Sequence, residues 1–324
     1  MFFQLNRRGY LLWTLAAVTS QVQANETHFP SQPIKLVVPY PAGGNADTIA
    51  RVFAKRLSDQ LKNPVVVENK GGASGTIGAE AVHKATPEGY TLLLTVTTQL
   101  TSSPMGMKTN YNAVQDFIPV VGLCITPLAF AVPTSLGVKN LKELEALGKS
   151  RKVSYGSYGP GTSTHILQHL LMKQLGARDA AHVPYRGESP MVNDMLGGQI
   201  DMGFISIGQA RELDKSGRMR VLAVVGTQRS EFLPDVPTFA EQGYKQLDWA
   251  YGVAVYASTR VPGAVLKTLQ EASRQVMEDP EVHKSYRAQS NQPWLKSQPE
   301  ELRKRLALDS DNWNRILSEL GKIE

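Results

Sequence analysis

The chain has 324 residues, 42% of them hydrophobic, a formal charge of +6 and one cysteine. Cys124 alone excludes an internal disulfide, so packed apolar cores have to supply the stability. Lys and Arg are interleaved with Asp and Glu throughout, without the basic runs that track phosphates, which argues against nucleic-acid binding.

At the start, Arg7 and Arg8 are followed by a short apolar stretch, Tyr10 to Val18, and by Val22-Gln23-Ala24, which suits a cleavage site. The stretch is far shorter than the roughly 20 residues of a membrane-spanning helix. Residues 1–24 therefore read as a signal peptide cleaved near Ala24. The Arg7-Arg8 pair leaves both the general secretory and the twin-arginine routes open. Cys124 lies too far along to carry a lipid at the new N-terminus, so the mature protein is expected free in the compartment to which it is exported, the periplasm once the resemblance below is added. Its charge of +4, after loss of the two arginines, suits attraction of anionic solutes and ordinary solubility equally.

About 300 residues remain, more than one core usually serves. Ile34 to Val38 reads as a buried strand, ended by the turn Pro41-Ala42-Gly43-Gly44. Ile49, Val52, Phe53, Arg56 and Leu57 then follow helical spacing. Val65 to Val67 is a second strand, Gly71-Gly72 opens a loop to a helix near Thr76 to Ala85, and Thr91 to Val96 is a third strand. The pattern restarts with helix Leu141 to Lys149 and strand Val153 to Tyr155, and a glycine-rich turn leads to a helix from Thr162 to Leu175. Strands at Ala181 to Val183, Ile200 to Phe204 and Arg220 to Val225 alternate with helices from Pro190 and Ile207, and the tail after Tyr256 is helical through Leu320.

Repeated strand and helix is the signature of a parallel sheet covered by helices. Extended apolar segments near 127–132 and 251–256 bracket one such unit. The expectation is an α/β domain, 127–249, inserted into a discontinuous one made of 25–126 and 250–324. Two strands crossing between them would form a hinge over a cleft.

In open α/β sheets ligands bind beyond the carboxyl ends of strands. Four turns qualify: Tyr40 to Asp47, Thr97-Thr98, Gly156 to Thr164, and Val183 to Ser189. The third offers Gly161 and two further glycines for close approach, hydroxyls on Ser157, Thr162, Ser163 and Thr164, and a helix N-terminus worth roughly half a positive charge. A carboxylate fits there, though Thr162 or Ser163 as a plain helix cap fits the same residues. With the first turn built alike, two N-terminal anion sites would hold the two ends of a small acid.

Rival chemistries are thinly supported. Gly159-Pro160-Gly161 lacks the third glycine of a dinucleotide fingerprint, and Ser157 is not in a G-x-S-x-G elbow. His165 and His169 have zinc-pair spacing without the glutamate of H-E-x-x-H. Asp47 reads as a general base or as a first-turn acid, Arg186 as a carboxylate clamp or a surface cation, and Trp249 and Tyr251 as cleft lining or packing.

A wider set of motifs carries a resemblance. Val38-Pro39-Tyr40-Pro41-Ala42-Gly43-Gly44 with Asp47, Val67-Glu68-Asn69-Lys70, Pro87-Glu88-Gly89-Tyr90, Asp116-Phe117-Ile118-Pro119, Val183-Pro184-Tyr185-Arg186-Gly187, Gly197-Gly198-Gln199-Ile200-Asp201 and Leu233-Pro234-Asp235-Val236-Pro237 occur in order. In these the chain resembles the Bug or TctC-like solute receptors of tripartite tricarboxylate transporters, over nearly all of its mature length. The resemblance implies a two-domain periplasmic binding protein of the type II, flytrap kind. It would catalyse nothing and need no cofactor or metal, work as a monomer, close on a small carboxylated solute and pass it to membrane permease subunits. The alternatives are a sensor presenting its bound form to a membrane signalling protein, and an exported hydrolase or metal enzyme using His165, His169 and Asp47. Carried over as ligand-binding are Ala42, Gly43, Asp47, Thr98, Ser157, Thr162, Thr164, Arg186 and Asp201, beside Tyr40 and Gly161 from the turns. Tyr158 departs from the small residue common in relatives, and Thr97-Thr98-Gln99 and Glu188 are variable cleft positions; Tyr158 would narrow the pocket or reach the solute's far end.

Overall fold

The computed structural model describes residues 29–320 apart from 107, 178, 245, 248, 250, 251, 296 and 297. The expected signal peptide, its cleavage point at Ala24, and Tyr251 lie outside the described residues. In chain order the first elements are β1 (Ile34–Val38), α1 (Asn45–Leu61), β2 (Val65–Asn69), α2 (Thr76–Lys84), β3 (Thr91–Val96), α3 (Thr97–Gly106), α4 (Ala113–Asp116) and β4 (Phe117–Ile125). Next come β5 (Leu128–Pro133), α5 (Leu141–Ser150), β6 (Ser154–Ser157), α6 (Ser163–Gln174), β7 (Ala181–Pro184), α7 (Glu188–Leu196), β8 (Met202–Ser206), α8 (Ile207–Lys215) and β9 (Met219–Val224). The chain ends with β10 (Gly252–Ser258), α9 (Gly263–Glu278), α10 (Pro280–Ala288), β11 (Gln292–Pro293) and α11 (Pro299–Leu320).

These strands make two sheets, ordered β11-β4-β10-β3-β1-β2 and β7-β6-β8-β5-β9. In the first, Ile34, Leu36 and Val38 of β1 are buried against Ile49, Phe53 and Leu57, which the helical repeat of α1 brings to one face. In the second, Phe130 of β5 and Phe204 of β8 pack with Phe239 and with Ile166 and Leu170 of α6. Burying each such side chain stabilises the fold by about 1.5–3 kcal/mol. That term holds each lobe together without a disulfide; Cys124 is buried, and burial pushes its thiol pKa well up.

The parallel sheets read from the sequence are mixed ones. β1, β2 and β3 are parallel, as are β6, β7 and β8, but β10 runs against β3 and β4, and β5 runs against β8 and β9. The reason is topological. The chain leaves β4 at the end where the parallel strands finish, crosses at Thr126-Pro127, and enters the second sheet from that same end. β5 must therefore run backwards, and β10 does the same on the return.

One element departs further from expectation. Leu302 and Leu306 of α11 pack with the first sheet, whereas Trp313 and Ile316 lie in the core of the second. The last helix thus spans both lobes instead of belonging wholly to the first. Its amphipathic stripe faces each core in turn, and Trp313 meets Trp249 edge to face at 4.2 Å.

Candidate functional site

The turns after β1, β2, β3, β6 and β7 meet where the two sheets face each other, and they enclose a cleft of two adjoining chambers. The inner chamber is walled by Tyr40, Val96 and Val253 from one lobe and by Leu128, Tyr158 and Ser206 from the other. The outer one lies between the 72–75 loop and the stretches 158–160 and 184–187. Tyr40, Gln99, Tyr158 and Gly187 line both.

The lobes touch around this space. Ser74 Oγ donates to the Pro160 carbonyl at 2.8 Å, Arg211 Nη1 to Ser290 Oγ at 3.2 Å, and Arg287 pairs with Glu231 at 2.8 Å. Ser74 and Ala73 hold φ of +53° and +45°, a left-handed conformation that favours glycine. The Ser74 carbonyl accepts from Gln99 Nε2 at 2.8 Å, so the strained loop is held from both sides.

The first turn is built from within. Asp47 is buried, and its carboxylate accepts from Gly43 N–H at 2.9 Å, Arg51 Nε at 2.9 Å and Asn69 Nδ2 at 3.0 Å. Burial works to raise its pKa, but these bonds win and hold it below the ordinary carboxylate value. Asp47 therefore braces the turn as a first-turn acid. Gly43 takes φ +80°, and with Ala42 it sits exposed at the rim, off the chamber walls. Tyr40 does line the cleft. Its hydroxyl bonds Thr95 Oγ1 and Gln99 Oε1, both at 3.0 Å, and burial pushes its pKa up to about 12. Behind it, α1 starts at Gly44 with no side-chain cap. Gly44, Asn45 and Ala46 face the inner chamber, and the Asn45 amide is tied up in a reciprocal pair with Asn291.

The third turn behaves differently from the sequence reading. Thr162 caps α6, accepting from His165 N–H at 3.4 Å and donating to the Gly159 carbonyl at 2.7 Å. Thr164 Oγ1 accepts from Tyr158 N–H at 3.1 Å, and Ser157 Oγ shares 2.6 Å with His182 Nε2. Gly161 N–H donates to His165 Nδ1 at 3.3 Å. All four residues are buried and none reaches a chamber wall; Thr98 is likewise buried off the wall, while its neighbour Gln99 lines both chambers. The hydroxyls fold the turn onto itself, and only Tyr158, Gly159 and Pro160 reach the cleft.

In place of α6, the second lobe presents α7. It starts at Gly187 with no side-chain cap, and Gly187, Glu188 and Ser189 face the inner chamber opposite α1. Two helix N-termini do face one chamber, but the second belongs to the fourth turn. Arg186 is exposed on the outer chamber. The Tyr158 ring narrows both chambers while its hydroxyl donates to the Phe204 carbonyl at 3.0 Å. Asp201 lies elsewhere. It precedes β8, at the end of the sheet away from the cleft, paired with Arg151 at 2.6 Å and accepting from Ser154 N–H at 2.7 Å. His165 stacks on His182 at 3.7 Å and is buried, so it does not pair outward with His169; among the described residues no group of three or more His, Cys, Asp or Glu could hold a metal.

The sequence reading passed over the 72–75 loop as cleft material. Its signal was Gly71-Gly72 directly after a strand, the same sign that marked the other turns.

A family model described as the tripartite tricarboxylate transporter family receptor, TctC, matches residues 49–322. The chain belongs to this receptor family. Protein BugT of Bordetella pertussis is 31% identical to the receptor over 310 residues, covering 94% of each chain. Among solved structures, periplasmic binding protein BugD superposes with a TM-score of 0.85 at 29% identity, over 90% of the receptor and 99% of BugD. R. palustris Rpa4515 with adipate superposes with a TM-score of 0.83 at 26% identity, over 90% and 97%. The receptor is thus a member of a periplasmic solute-binding family.

Proposed function

We propose that this receptor captures a small carboxylated solute in the inner chamber, closes its lobes around it, and delivers it to the membrane permease of a tripartite tricarboxylate transporter. It would act in the periplasm, as a monomer, after removal of the segment ending near Ala24. The observation that carries this reading is the uncapped N-terminus of α1 facing a largely apolar chamber made by both lobes. Free backbone N–H groups and the helix dipole suit an anion there without a basic side chain. The adipate bound by Rpa4515 supports a carboxylate as the solute. The cleft residues proposed to meet it are Tyr40, Gln99 and Tyr158, with Arg186 at the outer rim.

Titration of the mature receptor with organic acids and amino acids tests this. A 1:1 complex of roughly micromolar Kd, about −8 kcal/mol, is expected. At a hundred times Kd it would add about 2.7 kcal/mol to apparent stability. No binding by any carboxylate, after release of bound endogenous solute, would sink it. Deletion of the gene should abolish uptake of the same solute, and undiminished uptake would refute the delivery role.

A further inference from the structure

Glu188 is the single charged side chain among the described residues that line the inner chamber. It stands at the first position of α7, across from the first turn. A Cβ placed on the preceding Gly187 would lie only 3.1 Å from Pro41 Cδ of the other lobe, so the two sides are close. Glu188 Oε1 accepts from both Ser206 N–H and Ser206 Oγ at 2.7 Å, which fixes the carboxylate in place. Its Oε2 has no protein partner among the described residues.

The two helix termini are consequently unequal. The dipole of α7 is already answered by its own first-turn acid. The terminus of α1 carries no such group on the chamber wall, because Asp47 is turned inward to Gly43, Arg51 and Asn69. The chamber has an anion-accepting end and an anionic end, and Leu128, Val253 and the Tyr158 ring are also on its walls. A second carboxylate on the ligand would meet a like charge in a water-poor site, whereas an ammonium would make a charge-assisted bond.

We propose that Glu188 sets the solute class of this receptor: the ligand carries, beside its carboxylate, an ammonium group that donates to Glu188 Oε2. This rests on the carboxylate reading of the cleft. Burial, opposed by the Ser206 bonds, holds the Glu188 pKa above its ordinary value, and a cationic partner would offset that cost.

Calorimetric titration of the mature receptor with 4-aminobutyrate, succinate, butyrate and their shorter and longer homologues, and with α-amino acids, tests the assignment. The best ammonium-bearing ligand should bind at least about tenfold more tightly than the diacid of equal length. Glu188→Gln, which keeps an acceptor for Ser206, should erase that ratio while still binding a carboxylate. Should that variant misfold, Glu188→Asp should shift the preferred ligand to a longer amine. Diacids binding as tightly as amino acids, or a ratio unchanged in Glu188→Gln, would overturn the proposal. Failure of every carboxylate to bind the folded wild type would instead overturn the carboxylate reading beneath it.

Discussion

Gly208 offers a direct test of closure. It is the second residue of α8, in the second lobe, and a Cβ built there would lie 2.7 Å from the carbonyl oxygen of Gln289, at the end of α10 in the first. Ordinary contact begins at 3.4 Å, and the opposing atom is backbone that cannot swing aside. If opening carries the Gln289 carbonyl away, the methyl is freed of this neighbour, and alanine is favoured over glycine within a helix by about 1 kcal/mol. Gly208→Ala should therefore leave the free protein as stable as wild type or slightly more so, and penalise only the closed form. An overlap of this size costs about 1–3 kcal/mol. Affinity for any solute that requires closure should fall by about fivefold to about 150-fold. Calorimetric titration gives the affinity, thermal melting the stability, and small-angle scattering the compaction with ligand. A variant that binds and compacts like wild type would refute the reasoning, because the contact would then not be part of the liganded state.

Three further outcomes are expected. Thr162→Val should lower the unfolding free energy by about 1 kcal/mol through loss of the α6 cap, without changing the Kd of a bound solute; a Kd that rises with unchanged melting would return the hydroxyl to the cleft. Asp201→Asn should destabilise the second lobe by weakening its bonds to Arg151 and Ser154, again at unchanged Kd, and a loss of binding at full stability would contradict its placement. Burial, aided by repulsion from His182 and His169, pushes the His165 pKa down to about 3, so the unfolded chain takes up a proton that the folded one refuses. The stability from His165 is therefore intact above about pH 6.5 and is lost as the pH falls toward 3, with about 2 kcal/mol gone by pH 5. Chemical denaturation at pH 7 and pH 5, compared with His165→Asn, would show a flatter pH dependence in the variant, and parallel curves would refute the assignment.

The glycine clusters behind apolar strands were legible because a close approach at a strand end leaves few other residues usable. The direction of each hydroxyl was not. Thr162 as a cap and Thr162 as a ligand donor need the same residue at the same place, and only the position of the Gly159 carbonyl decides between them. Asp201 shows a similar limit: an acid beside a strand can sit at either end of a sheet, and only the neighbouring Arg151 tells which. Ser74 carries no mark of its left-handed backbone, and the groups that hold it there, Gln99 and Pro160, come from distant parts of the chain. The hydroxyl-rich start of α3 hid its helix, because Thr97 to Ser103 lacks a clear apolar stripe. The mixed sheets follow from the two crossings, which the sequence suggested, but the reversed strands become apparent only once the crossing end is known.

The reach of α11 across both lobes changes what opening means for this receptor. A helix anchored by Leu302 and Leu306 on one side and by Trp313 on the other cannot stay rigid while both anchors hold. If the lobes part as proposed, the helix either bends between Leu306 and Trp313 or peels its final turns away. The two routes differ optically. Bending leaves the Trp249–Trp313 pair intact, whereas peeling separates the indoles and bares Trp313 to water, so the receptor's own fluorescence becomes a gauge of how it moves. The same arrangement makes the C-terminal end a poor place for a bulky fusion, because cargo there would load the strap that spans the lobes.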